Sequence, residues 1–228
     1  MRMRINVLLY SIAIVGIGLL FTSGCSKDDG AGEVTDINGN VYHSVTIGDQ
    51  VWMVENLKTT RFRNGDPIPN VPDNSEWSGL TSGAFSYYSN EADTSETYGY
   101  LYNWYALTDS RNIAPEGWHV TTDEEWATLM NFLEGPNVAG GKLKEPGTLH
   151  WKEPNIVTDD NIGFDALPGG LRYSDGTYRA IGEAFYVWST TESNETMAFY
   201  WGIFNDGVGV SNGIINKKTG LSVRCVKD

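Results

Sequence analysis

The chain has 228 residues, with 16 lysines and arginines against 29 aspartates and glutamates, a net charge of −13. So acidic a chain repels phosphate backbones and anionic headgroups, which excludes nucleic acid as a partner and means that any membrane attachment must be covalent. Aromatic residues at 12% and 26 glycines favour short strands joined by tight turns, and two cysteines are too few for a disulfide framework.

Arg2 and Arg4 precede an apolar run from Val7 to Phe21, followed by the small residues Thr22-Ser23-Gly24 and then Cys25. A basic start, an apolar stretch too short to span a bilayer comfortably and a small-residue cleavage site read as a secretory signal over residues 1–24. The cysteine that follows makes the segment similar to a bacterial lipoprotein signal, although Thr22 stands where such signals usually carry leucine. Cys25 is therefore the expected lipidation site, holding the protein to the membrane through its lipid. Residues 25–35 are small, charged and poor in apolar groups, which makes them a flexible tether. The acidic run Ser26-Lys27-Asp28-Asp29-Gly30 resembles the tag that carries some lipoproteins to the outer face of the outer membrane. The expected location is the outer membrane, at the cell surface.

A domain over residues 36–228 follows, large enough for its own core. Asn38-Gly39 opens a strand in which Val41, His43, Val45 and Ile47 alternate with Tyr42, Ser44 and Thr46, and Gly48-Asp49 turns it into Gln50–Val54. From Arg63 to Ser95 the composition is that of an irregular surface excursion, while Gly99–Leu107 reads as a short buried helix. The clearest helix runs from Asp123 to Leu133. Thr122 and Glu125 have capping-box spacing, Trp126, Leu129, Met130 and Leu133 share a face, and Gly135-Pro136 stops it. The acids Asp123, Glu124 and Glu125 belong to that helix start rather than to catalysis. A glycine-rich link at Gly140-Gly141 leads to strands at Phe185–Thr190, Ala198–Phe204, Val208–Val210 and Leu221–Val226, with Asn205-Asp206-Gly207 as a hairpin turn.

Several blocks together resemble one family pattern: IGDQVWMVENL at 47–57, YGYLYNWYAL at 98–107, PEGWHVTTDEEW at 115–126, GFDALPGGLRY at 163–173, YVWSTTE at 186–192 and GLSVRCVKD at 220–228. The pattern is that of the Fibrobacter succinogenes major paralogous domain, which resembles the formylglycine-generating-enzyme branch of the C-type lectin fold. The resemblance implies an α+β, C-type-lectin-like architecture of short twisted antiparallel sheets, two short helices and long irregular loops. It also implies that a cysteine often stands just before P-E-G-W as partner to the closing one. Here that position is Ala114, so Cys225 is expected to be free and buried. Trp118, Trp126, Trp188 and Trp201 are the expected core, each indole N–H with an acceptor.

Thiol-held copper, the chemistry of the oxidases in that branch, needs a cysteine pair that this sequence does not offer. His43, His119 and His150 have no metal-ligand spacing, and no catalytic residue or cofactor is assigned. Glu153-Pro154-Asn155 and Asn205-Asp206 resemble lectin calcium motifs but lie too far apart in sequence; they are read as coincidence. Asp159, Asp160, Asn161 and Asp165 offer oxygen ligands of the calcium type, with a solvated acidic loop as the preferred reading. The stronger candidate is a ligand-binding surface built from Glu192, Asn194, Tyr200, Trp201, Asn205, Asp206, Asn212 and Asn216. Amides and carboxylates bond hydroxyls, and aromatic faces cover the C–H side of a sugar or a peptide side chain. The expectation is a binding protein for a glycan or a cell-surface protein, and not an enzyme. The alternatives are a structural or assembly component of the cell surface and a degenerate formylglycine-generating-type enzyme.

Overall fold

The computed structural model describes residues 32–158 and 162–228. The signal, Cys25 and most of the tether therefore lie outside the described residues, as do Asp159, Asp160 and Asn161. The strands are β1 (Glu33–Thr35), β2 (Val41–Ile47), β3 (Gln50–Met53), β4 (Phe85–Ser86), β5 (Leu101–Tyr102), β6 (Trp118–Val120), β7 (Gly169–Arg172), β8 (Tyr178–Ile181), β9 (Ala184–Glu192), β10 (Met197–Phe204), β11 (Val210–Asn216) and β12 (Cys225–Lys227). The helices are α1 (Asn74–Gly79), α2 (Ala92–Tyr98), α3 (Trp104–Leu107), α4 (Asp123–Phe132) and α5 (Pro136–Leu143).

This is an α+β architecture. One sheet has the order β1-β2-β3-β12-β6, the second β11-β10-β9-β7-β8, and β4-β5 form a small third. Pairing is antiparallel except between β7 and β9. The last strand thus lies between β3 and β6, pairing Val226 with Trp52 and with His119. Its side chains alternate between two apolar clusters. Val223 and Cys225 join Tyr42, Phe62, Tyr102, Trp118 and Trp188 on one side, and Val226 joins Trp52, Trp126, Trp151, Phe164 and Trp201 on the other.

Arg224 lies on the face opposite Cys225, as strand alternation requires, but it is buried rather than solvated. Its Nη1 donates to the Met53 and Phe164 carbonyls at 2.9 Å each, and its Nε donates to Asn56 Oδ1 at 2.8 Å. Arg172 is the matching clamp in the second sheet. It donates to the carbonyls of Val71, Pro72 and Gly176 while its guanidinium lies 4.3 Å from the Trp77 ring centre. A planar fork of donors can satisfy several buried carbonyls at once, which a lysine ammonium cannot match in geometry.

The capped helix stands as expected. Thr122 Oγ1 accepts from the Glu125 N–H, Glu125 Oε2 accepts from the Thr122 N–H at 2.8 Å, and Trp126, Leu129 and Met130 are buried. Trp118, Trp126, Trp188 and Trp201 are all core residues. Indole N–H groups donate from Trp126 to Thr121 Oγ1, from Trp188 to the Tyr102 carbonyl and from Trp201 to Asp123 Oδ1.

Several expectations are corrected. There are five α-helices among the described residues, not two. The supposed excursion holds α1, capped by Asp73, and α2. Pro136 starts α5 at a position where its missing N–H costs nothing, and Gly140-Gly141 lie inside that helix rather than in a link. The glycine there serves close approach, because a Cβ on Gly140 would sit 2.3 Å from the Gly209 carbonyl oxygen. Residues 99–107 are a strand and then a single helical turn. Asn103 divides them by accepting from both the Ala84 and Ala106 N–H groups. Residues 33–35, assigned to the tether, pair with β2. At the start of β2 the apolar alternation is inverted: Val41 is 47% exposed, while Tyr42 is buried with its hydroxyl donating to Asp36 Oδ2.

Candidate ligand-binding site

Strands β9, β10 and β11 form a long antiparallel ribbon whose two faces differ. Register pairs Trp201 with Val187 and Asn212, and Tyr200 with Trp188 and Gly213. One face carries Phe185, Val187, Trp201 and Ile203 into the core, where Trp201 stacks on Trp126 of α4 at 6.2 Å. Asp123 Oδ1, at the start of that helix, accepts from Trp201 Nε1 and from Asn212 Nδ2, both at 2.9 Å. Trp201 and Asn212 therefore fasten the ribbon to α4 instead of lining a surface with Tyr200.

The other face carries a half-buried aromatic row. Tyr186 lies 5.9 Å from Tyr200 and 5.6 Å from Phe204, ring centre to ring centre. The sequence makes room for these rings with glycines: a Cβ on Gly213 would meet the Tyr200 ring at 3.0 Å, and one on Gly202 the Tyr186 ring at 3.3 Å. Burial, then the neighbouring Tyr200, Tyr173 and Glu183, push the Tyr186 phenol up to about 12, so it stays a neutral hydroxyl at physiological pH.

At the end of the row, the turn between β10 and β11 meets the start of α5 around a cavity of about 310 Å³. Pro136, Asn137, Phe204, Asp206 and Ser211 line it. Lys144 fixes the turn from below, donating to the Phe204 carbonyl at 3.0 Å and the Gly207 carbonyl at 2.8 Å. Burial lowers the Lys144 ammonium to about 8 against the opposing pull of Asp206. Asn205 is consumed by the fold, its amide donating to the Lys152 and Glu153 carbonyls.

The remaining candidates sit at the opposite end of the ribbon. Glu192 pairs with Lys217 at 2.5 Å, and that ammonium also donates to the Glu195 carbonyl and lies 4.3 Å from the Trp104 ring centre. Asn194 accepts from the Thr196 and Met197 N–H groups and Asn216 from the Lys218 N–H, which makes both turn-builders. Of the eight candidates, only Tyr200 and Asp206 belong to the aromatic row and its cavity. Tyr186 and Phe204, absent from the expected set, complete it. Strand alternation from Tyr200 reaches Phe204, whereas Tyr186 joins the row only through the β9–β10 register, which sets it opposite Gly202.

A second cavity, about 550 Å³, is lined by Glu55, Glu145 and Asp165 beside Val54 and Leu167. Burial raises the Asp165 carboxyl; Arg224 opposes this, and Glu145 and Glu55 add to it. Glu145 is paired with His150 and Glu55 with His43. Among the described residues no group of three or more His, Cys, Asp or Glu is arranged to hold a metal ion. Asn155 of the Glu153-Pro154-Asn155 motif donates to the Glu145 and Gly147 carbonyls, and so braces its own loop. Cys225 is free and buried, and burial raises its thiol far above the ordinary range.

No curated protein and no solved structure matches the chain. A family model does, over residues 45–227, and with it the ordered motifs, the capped helix and the closing strand have one explanation: the chain belongs to the Fibrobacter succinogenes major domain family.

Proposed function

We propose that this is a lipid-anchored binding domain, carried on Cys25 at the outer membrane and turned toward the cell exterior, that recognises a glycan or a cell-surface protein without transforming it. We also read the α+β architecture as C-type-lectin-like. The support for that is a closing strand inserted between the first hairpin and β6, with long loops elsewhere.

The observation that carries the binding reading is the Tyr186–Tyr200–Phe204 row running into the cavity beneath the β10–β11 turn. Aromatic faces cover sugar C–H groups, while Asp206, Asn137 and Ser211 supply the polar groups that hydroxyls need. Covering roughly 40 Å² of apolar ligand surface with one ring contributes about 1 kcal/mol, so removing it weakens binding roughly fivefold. The test is a glycan array followed by titration of the best hit against wild type, Tyr200→Ala and Asp206→Ala. Weaker binding by both variants is expected, with circular dichroism spectra that show each still folded. An array without retained glycans, or affinity indifferent to both changes, sinks the glycan reading.

A further inference from the structure

Charge around the aromatic row is one-sided. Asp206 is exposed at the cavity beside Phe204, and the cations of the neighbouring segments are committed elsewhere. Lys144 is 1% exposed beneath the turn and donates to two carbonyls; it attracts Asp206 across the turn without forming an ion pair. Lys152 pairs with Glu183 at 2.8 Å and Lys142 with Glu134 at 2.7 Å. The start of α5 gives an anion little to hold: Pro136 has no N–H, and the Val138 and Ala139 N–H groups donate to the Gly135 carbonyl at 3.3 and 3.2 Å. The rings point the same way. Tyr186 sits opposite Gly202, midway between Tyr200 and Phe204 on β10, and its plane is tilted by 59° to the first and 85° to the second. So steep a tilt leaves no flat platform for successive neutral sugars, whereas each ring face attracts a cation.

We propose that the sugar taken here carries a free amine, its ammonium held by Asp206 beside the Phe204 ring and its hydroxyls by Asn137 and Ser211. Resting on the glycan reading, this narrows the ligand to unacetylated amino sugars. An N-acetyl group keeps the ring and its hydroxyls but removes the charge. An acidic sugar meets Asp206, no free cation among these side chains and a chain of net charge −13. Both attractions are modest, because Asp206 is exposed and the rings are half-buried. Together they favour the amine over its acetylated counterpart roughly three- to tenfold.

Calorimetric titration of the full exported chain carrying Cys25→Ala decides between these outcomes. The probes are a glucosamine oligomer, in mildly acidic buffer where its amines are charged, and its fully N-acetylated counterpart. Wild type should prefer the glucosamine oligomer, and Asp206→Asn should bind both alike. Glu116→Gln, which removes an exposed acid from the turn before β6, should keep the preference. Circular dichroism checks that each variant is folded. Equal affinity of wild type for both probes overturns the proposal and leaves the glycan reading standing, whereas binding of neither removes both. A preference that survives Asp206→Asn, or is lost as fully in Glu116→Gln, reflects the charge of the whole chain and overturns the role of Asp206. A trilysine peptide that binds more tightly than the glucosamine oligomer assigns the ammonium to a protein partner and overturns the sugar.

Discussion

His119 lies between two carboxylates, Glu125 Oε1 at 2.6 Å and Asp228 Oδ1 at 2.7 Å. Burial works against its charged form, but the bonds to Glu125 and Asp228 outweigh it and leave the folded pKa raised. A raised pKa means the folded state holds its proton more tightly than the unfolded chain does. The stabilisation is therefore complete below about 6.5, the unfolded value, and is lost as pH rises through the folded pKa. Urea denaturation of wild type and His119→Gln should show the larger gap at pH 5.5 and a smaller one at pH 8.5; a gap that widens with pH would contradict this. The sequence sets His119 six residues before Glu125 but gives no sign of Asp228, which reaches it only because β12 pairs with β6. Arg224 shows the same limit. Alternation sets its face correctly, yet whether that face meets water depends on Phe164 and Asp165, some sixty residues away in the chain.

Among the elements, α4 was the most legible, because a capping box is a local device needing only Thr122 and Glu125. Its first residue does more than favour the helix dipole. Asp123 Oδ1 is the shared acceptor for the Trp201 indole and the Asn212 amide, and the Asp123 N–H donates to Thr191 Oγ1 at 3.0 Å. Asp123→Ala should cost about 1–3 kcal/mol in chemical denaturation, since it leaves the Trp201 N–H in the core without a partner. Glu124→Ala, on the same turn, should change stability by less than about 0.5 kcal/mol. Equal effects would show that Asp123 acts only through the dipole. The elements that escaped the sequence reading did so for physical reasons. Pro136 and Gly140 are helix breakers by propensity but sit at a helix start and under a crossing backbone. β11 is written in Asn, Ser and Gly, residues that usually mark turns, and its strand state comes from pairing with β10. The candidate site was half legible for the same reason: Tyr200 and Asp206 could be chosen by residue type, but the face each one occupies could not.

For the whole molecule, the absent cystine is a feature with an experimental handle. Ala114 and Cys225 are buried in the same apolar cluster, and Arg63, which donates to the Ala114 carbonyl at 3.0 Å, sits close enough to pull against the rise in the Cys225 pKa. Ala114→Cys should therefore cross-link to Cys225 under oxidising conditions, removing titratable thiol from the denatured unreduced protein. Closing so long a loop should add about 3–5 kcal/mol of stability. Free thiols at both positions 114 and 225 in that variant would show that the side chains do not face each other. The position of β12 carries one more consequence. Leu221, Val223, Cys225 and Val226 are wall to the two apolar clusters, so neither compartment can be sealed until residues 221–226 are in place. A chain without that segment docked would leave the tryptophans of both clusters incompletely buried. It would lock only when β12 slots between β3 and β6.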